Sequence, residues 1–285
     1  MTNPGGTLWV VATPIGNLED LSPRARQVLV RAAAIAAEDT RHTRHLLRHC
    51  GIRTPLVAVH EHNEAAVVPA LIARLQAGDD LALVSDAGTP LVSDPGFVLV
   101  RAARAAGLRV APVPGPSALI AALSVAGLPS ARFAFEGFLP AKAGARRARL
   151  AELVGEPRTL IFYEAPHRLQ EMLDDLLAAF GAQRSAVLAR ELTKLHEIVL
   201  DGTLAALRER VGTDADQRRG EIVLLVAGNE AEDAQALGAG RRLYQLLCAE
   251  LPPARAARIA AEFTGAPRRA LYAAGALDDV PDGGA

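Results

Sequence analysis

Short apolar runs alternate with helix-period stretches along the first 113 residues. Thr7 to Ala12, Leu56 to Val59, Leu81 to Val84 and Leu108 to Val113 predict strands, and Arg24 to Ala34, Thr43 to Cys50, Glu64 to Gln76 and Phe97 to Ala106 predict helices between them. Such alternation implies an α/β layer. After Gly115 the pattern restarts with more strands per helix: Arg132 to Phe138, Thr159 to Tyr163, Ala186 to Ala189, Glu197 to Leu200 and Glu221 to Ala227, with helices over Ser117 to Ala126, Arg146 to Val154, His167 to Ala179 and Leu204 to Val211. Glu197 to Gly202 and Glu221 to Ala227 are expected to pair antiparallel. From Glu230 an Ala/Arg-rich helical tail follows, in which Ala254 to Phe263 and Arg268 to Ala274 flank the turn Thr264-Gly265-Ala266-Pro267. That tail fits a helix-turn-helix or a plain helical cap. The expected division is an α/β domain over 7–114, a second over 115–229, a helical module over 230–277 and a frayed end over 278–285.

The turns between these elements are stiff and small. In Ser85-Asp86-Ala87-Gly88-Thr89-Pro90-Leu91-Val92-Ser93-Asp94-Pro95-Gly96, two glycines let the main chain approach a ligand without a Cβ in the way, and Asp86 offers a carboxylate for hydroxyls or an amine. Asp94 and Pro95 read as the cap and first residue of the next helix. Ser22-Pro23, Gly115-Pro116 and Ala165-Pro166 repeat the device, so several strand-to-helix turns are expected to line one cleft.

Composition narrows the picture. With 285 residues, half of them hydrophobic, the chain can bury a large core, and no apolar run approaches the ~18 to 20 residues of a membrane span. The first residues lack the basic start and apolar centre of a secretory signal, and Cys50 and Cys248 have no CxxC partner, so a cytoplasmic protein is expected. Net charge is −1, so attraction to an anionic partner must be local. Only Lys142 and Lys194 are lysines among 31 basic residues, a skew attributed to coding bias.

Several chemistries are excluded by pattern. No G-x-x-x-x-G-K-[ST], no G-x-G-x-x-G after the first strand and no G-x-S-x-G is present, and Thr13-Pro14-Ile15-Gly16-Asn17 is too stiff for a dinucleotide pyrophosphate. His60-Glu61-His62-Asn63-Glu64 presents two imidazoles in an extended segment, but no third ligand follows at zinc spacing, so no metal is expected. Asn63 as cap of the next helix is the plain structural reading of the segment, and a substrate-facing polar loop is the middle one. Arg41, Arg44, His45 and Arg48 share one helix face, either a solvated stripe or a phosphate-binding patch.

Together Thr13-Pro14-Ile15-Gly16-Asn17-Leu18, Glu38-Asp39-Thr40-Arg41, His60-Glu61-His62-Asn63-Glu64 and Ser85-Asp86-Ala87-Gly88-Thr89-Pro90 resemble the bacterial 16S ribosomal RNA cytidine 2′-O-methyltransferases, of the tetrapyrrole-methylase superfamily. The likeness continues through Pro114-Gly115-Pro116-Ser117-Ala118, Gly137-Phe138-Leu139-Pro140-Ala141-Lys142, Phe162-Tyr163-Glu164-Ala165-Pro166-His167-Arg168 and Arg190-Glu191-Leu192-Thr193-Lys194. It implies a two-domain α/β class III methyltransferase fold with a small C-terminal helical module, binding S-adenosylmethionine between the domains. It further implies a homodimer acting on a cytidine ribose in the decoding region of 16S rRNA, within the small ribosomal subunit. By motif, Asp86, Ala87, Gly88, Thr89, Ser117, Ala118, Tyr163, Glu164 and Leu192 should line the cofactor, with Pro14 and Ile15 facing its methyl group. RNA contacts fall to Arg41, Arg44, Arg48, Arg146, Arg147, Arg268 and Arg269.

A 2′-hydroxyl is a weak nucleophile, so a base is wanted, and Asp39, Glu64, Glu164, Lys142 and Lys194 are the candidates. The chosen catalytic set is Asp39 to orient the hydroxyl or take its proton, with Lys142 and Lys194 as hydroxyl or phosphate anchors. Two rivals remain open at this level: a C-methyltransferase of a tetrapyrrole on the same fold, and a ribosome-assembly factor without turnover.

Overall fold

The computed structural model of the chain describes residues 5–275. Its first lobe is built on five parallel strands, β1 (Thr7–Val11), β2 (Ala34–Ala37), β3 (Leu56–Ala58), β4 (Leu81–Val84) and β5 (Arg109–Val113), in the order β3-β2-β4-β1-β5. Between them run α1 (Pro23–Arg31), α2 (Thr40–His49), α3 (Glu64–Gln76) and α4 (Phe97–Ala105). The central strands β2 and β4 are buried along their whole length because helices cover both faces of the sheet. Alternate residues serve opposite cores: Ala34, Ala36, Leu81 and Leu83 pack with Leu8, Leu71 and Leu99, while Ile35, Ala37, Ala82 and Val84 pack with Leu29 and Leu47.

Strand β2 corrects the expected helix over Arg24 to Ala34. That helix ends at Arg31, and Ala34 onward is extended, hydrogen-bonded to β4 on one side and β3 on the other. Small size is what the position demands, since helices press on both faces of the sheet there.

The second lobe follows α5 (Ala118–Val125). Its strands are β6 (Phe133–Phe138), β7 (Thr159–Glu164), β8 (Ser185–Arg190), β9 (Ile198–Thr203) and β10 (Ile222–Val226), in the order β6-β7-β10-β8-β9, with only β6 and β7 parallel. Helices α6 (Ala143–Leu153), α7 (Leu169–Phe180) and α8 (Leu204–Thr213) pack on one face, where Leu160, Phe162, Leu188 and Leu224 meet Leu150, Leu173 and Leu207. On the other face Ile161, Val187 and Leu225 meet Leu119 and Leu123 of α5, and Ile15 of the first lobe joins them. The expected pairing of β9 with β10 does not form, because β8 lies between them and bonds antiparallel to both.

Three helices close the chain, α9 (Glu230–Cys248), α10 (Pro253–Thr264) and α11 (Arg268–Gly275), gathered around Tyr244, Ala256, Ala257, Ala260 and Leu271. Alanines let α9 and α10 approach closely; Gly265 takes the left-handed conformation (φ 74°) that ends α10. The segment expected to fray, 278–285, lies outside the described residues. Among the described residues no helix is long and apolar enough to cross a membrane, and no three His, Cys, Asp or Glu side chains gather as a metal would require.

Candidate active site

Parallel sheets place ligands beyond the carboxyl ends of their strands, and the turns there are tied to one another. Thr13, after β1, exchanges backbone hydrogen bonds with Gly88, after β4, at 2.8 and 3.0 Å. Gly88 meets this with φ 79°, a conformation open to glycine at no steric cost. The Thr89 hydroxyl donates to the Pro116 carbonyl at 3.1 Å, tying the loop to the segment that leads into the second lobe. From the other side, the Tyr163 hydroxyl accepts the Leu119 N–H at 3.0 Å, at the start of α5.

Between the lobes these turns enclose a cavity of about 360 Å³, within the usual size of a small-molecule site. Ile15, Ala87, Gly88, Thr89, Ser117, Ala118, Tyr163, Glu164 and Leu192, all expected from sequence, line it. Pro14 and Asp86 do not. Pro14 is buried, and Asp86 accepts the Asp39 N–H on its carboxylate at 3.0 Å, holding the end of β2 beside that of β4. Val92, Asp94, Phe138 and the β10 entry at Gly220 and Glu221 were not expected, yet they line the cavity too.

Two loops facing the cavity share an unusual backbone. Leu91 and Ser93 in the first lobe, and Glu191 and Thr193 in the second, are the non-glycine residues of positive φ among those described, at 74°, 66°, 52° and 66°. Each pair flanks an apolar side chain on the cavity wall, Val92 in one case and Leu192 in the other. Strain of this kind persists where the surrounding structure over-determines it, and it clusters at ligand sites.

Asp94 is not the helix cap its sequence context suggested. Helix α4 starts later, with Gly96 at its N-cap (φ 114°), and its Leu99 N–H donates to the buried Glu64 carboxylate at 3.0 Å. Glu64, a base candidate, is thereby an anchor for α4. Burial, with the Asp86 carboxylate nearby, pushes the freed Asp94 carboxyl up to about 6. Glu38 is raised by burial and by Asp86 and Asp94, and Tyr163 and Glu164 are raised by burial.

The expected catalytic trio is dispersed. Asp39 caps α2 by accepting the Arg41 N–H at 2.7 Å, and its ion pair with the Arg41 side chain holds its carboxyl well below the ordinary range. Such a carboxylate is a poor base. Lys142 is exposed at the N-cap of α6, outside the cavity wall. Lys194 lies at the rim: its ammonium meets Glu191 at 2.8 Å and Glu221 at 3.3 Å, and its stem covers Gly16, where a Cβ would stand 2.4 Å from Lys194 Cγ. Burial would lower Lys194, but the two carboxylates hold it above its ordinary value. Asn63 stands at the start of α3 without capping it; its side chain accepts the His60 N–H and donates to the Ala58 carbonyl.

Arg44, Arg48, Arg268 and Arg269 are exposed, as RNA contacts require, and Arg41 and Arg147 are exposed but paired with Asp39 and Asp175. Arg146 is not available to RNA. It is 2% exposed and clamped by Asp175 at 2.7 Å and Glu171 at 3.3 Å. Its partners arrive on α7, some 30 residues later, and no local signal in Arg146-Arg147 separates the buried arginine from the exposed one.

Two α/β lobes with a cleft at the strand ends are also the fold of the uroporphyrin-III C-methyltransferase from Thermus thermophilus complexed with S-adenyl homocysteine (TM-score 0.54, 19% identity, covering 78% of this chain and 97% of that one). The family model for tetrapyrrole (corrin/porphyrin) methylases matches residues 7–208, and the chain belongs to that family. Within it, the chain is 64% identical to the ribosomal RNA small subunit methyltransferase I of Xylella fastidiosa (strain Temecula1 / ATCC 700964), over 95% of this chain and 99% of that protein. The protein of the same name from Pseudomonas aeruginosa is 60% identical, over 94% of this chain and 95% of its own length. Residues 233–277 match the RsmI C-terminal HTH domain, so the helix-turn-helix reading of the tail displaces that of a plain cap.

Proposed function

We propose that the protein is an S-adenosylmethionine-dependent methyltransferase of 16S ribosomal RNA in the small subunit, acting in the cytoplasm on the 2′-oxygen of a cytidine ribose in the decoding region. The observation that carries this reading is the near-full-length likeness to proteins named ribosomal RNA small subunit methyltransferase I. The cavity supports it. The backbone at Ala87 and Gly88 can approach a ligand closely, and Val92 and Leu192 supply apolar contact.

When bound, S-adenosylmethionine supplies an electrophilic methyl group on sulfur. The chain's own part is to align the acceptor oxygen with that carbon, keep water out and take up a proton. Alignment in a closed cleft is worth several kcal/mol. Thr13 and Thr89 fix the first-lobe wall, and Tyr163 fixes the second against α5. Arg44 and Arg48 run along α2 away from Asp39, whose backbone is tied to the cavity loop through Asp86, and they suit the phosphates flanking the target. The division into 7–114, 115–229 and 230–277, with the cofactor between the first two, and a homodimer that gathers the arginines of two copies, complete the proposal.

The test is methylation of small subunits from a strain lacking the modification. Nuclease fragments analysed by mass spectrometry should carry one added methyl on a cytidine ribose. A methyl on a base, or none at saturating cofactor, overturns the reading.

A further inference from the structure

Three acidic residues line the cavity, and the carboxyls of two of them are engaged elsewhere. Glu221 pairs with Lys194 at 3.3 Å. Glu164 has no exposed side-chain surface, lies 3.3 Å from Arg168 and accepts the Ala165 N–H at 2.8 Å. Asp94 is the third. It is half-buried on the cavity wall, directly after the left-handed Ser93. The groups acting on it are the Ser85 hydroxyl and Asp86 from its own loop; Glu38 at the end of β2 and Tyr163 of β7 also face it. No basic side chain is among them.

We propose that Asp94 is the catalytic residue that accepts the 2′-hydroxyl proton of the target ribose. The inference rests on the ribose methylation proposed above. The hydroxyl oxygen forms the bond to the methyl carbon, the carbon–sulfur electron pair leaves with sulfur as a neutral thioether, and the proton ends on the Asp94 carboxylate. The positive sulfonium and the negative carboxylate are both discharged in the step, which a water-poor cavity favours. A carboxyl raised to about 6 is ionised at neutral pH and still more basic than an ordinary aspartate. Asp39, the carboxylate favoured from sequence, lacks both features: it is outside the cavity wall and satisfied by Arg41.

Asp94→Asn tests this with almost no change of shape. Loss of the base should lower kcat about 10²- to 10⁴-fold, while the affinity for S-adenosyl homocysteine, measured by calorimetry, stays within about threefold. The wild-type protein should show an acid limb near pH 6 in kcat/KM that the variant's residual activity lacks. Without ligand, the variant should melt above the wild type at pH 7 and level with it near pH 4. Turnover retained within about threefold, or a loss that lies in thioether affinity alone, overturns the assignment. If the wild type methylates a ribose and Asp94→Asn matches it, this inference fails by itself. If the wild type binds the thioether but methylates a base, the ribose reading fails and takes this inference with it.

Discussion

The two walls of the cleft handle charge in opposite ways. In the second lobe, Arg146 meets Asp175, Arg168 meets Glu164, and Lys194 bridges Glu191 and Glu221. In the first lobe, Asp86, Asp94 and Glu38 crowd together, and the charged groups that shift Glu38 and Asp94 are all carboxylates. A frame whose charges are matched holds its shape without a ligand. A wall of mutually repelling carboxyls is relieved by a cation, and a sulfonium entering the cavity would supply one. The second lobe therefore serves as scaffold, and the first carries the unsatisfied chemistry.

Breaking a pair in the scaffold should cost stability. Arg146→Ala leaves the Asp175 carboxylate, 7% exposed, without its buried partner, and should lower unfolding free energy by about 3–5 kcal/mol in a urea titration. Arg147→Ala removes the exposed partner of the same carboxylate and should barely move the midpoint. Equal effects would dissolve the distinction between them.

Removing charge from the first wall should stabilise it. The Asp94 carboxyl has its folded-state pKa raised from 3.8 to about 6, so its favourable contribution is complete below pH 3.8 and is lost as pH rises through 6. Asp94→Asn keeps the uncharged form throughout. It should gain about 1 kcal/mol over the wild type at pH 7, allowing for solvent screening of a half-exposed group, and nothing near pH 4. The smallest effect is expected at Asp39, whose charge is satisfied by Arg41 outside the cavity: Asp39→Asn should leave kcat within about threefold.

The helices were largely legible because their apolar period is regular, and α3 runs over the expected Glu64–Gln76. Strand β2 was hidden because Ala34-Ile35-Ala36-Ala37 lacks the β-branched bulk that marks strands, and it abuts a true helix. The order of the second sheet depends on pairings between distant segments, which local pattern does not encode. At the site, motif placed most of the cavity wall, but charge partners decide roles, and those come from other elements. Asp175 disarms Arg146, Arg41 disarms Asp39, and Leu99 engages Glu64. Asp94 was misread for the converse reason, since Ser-Asp-Pro-Gly has the composition of a helix cap while the left-handed turns at Leu91 and Ser93 leave its carboxyl on the cavity wall.

A crystal structure with S-adenosyl homocysteine bound tests the account most directly. The thioether should lie between Val92 and Leu192, against the Ala87–Gly88 backbone, with Asp94 beside its sulfur where the acceptor oxygen would enter. Density outside the cleft, or inside it with Asp94 remote from the sulfur, would contradict it.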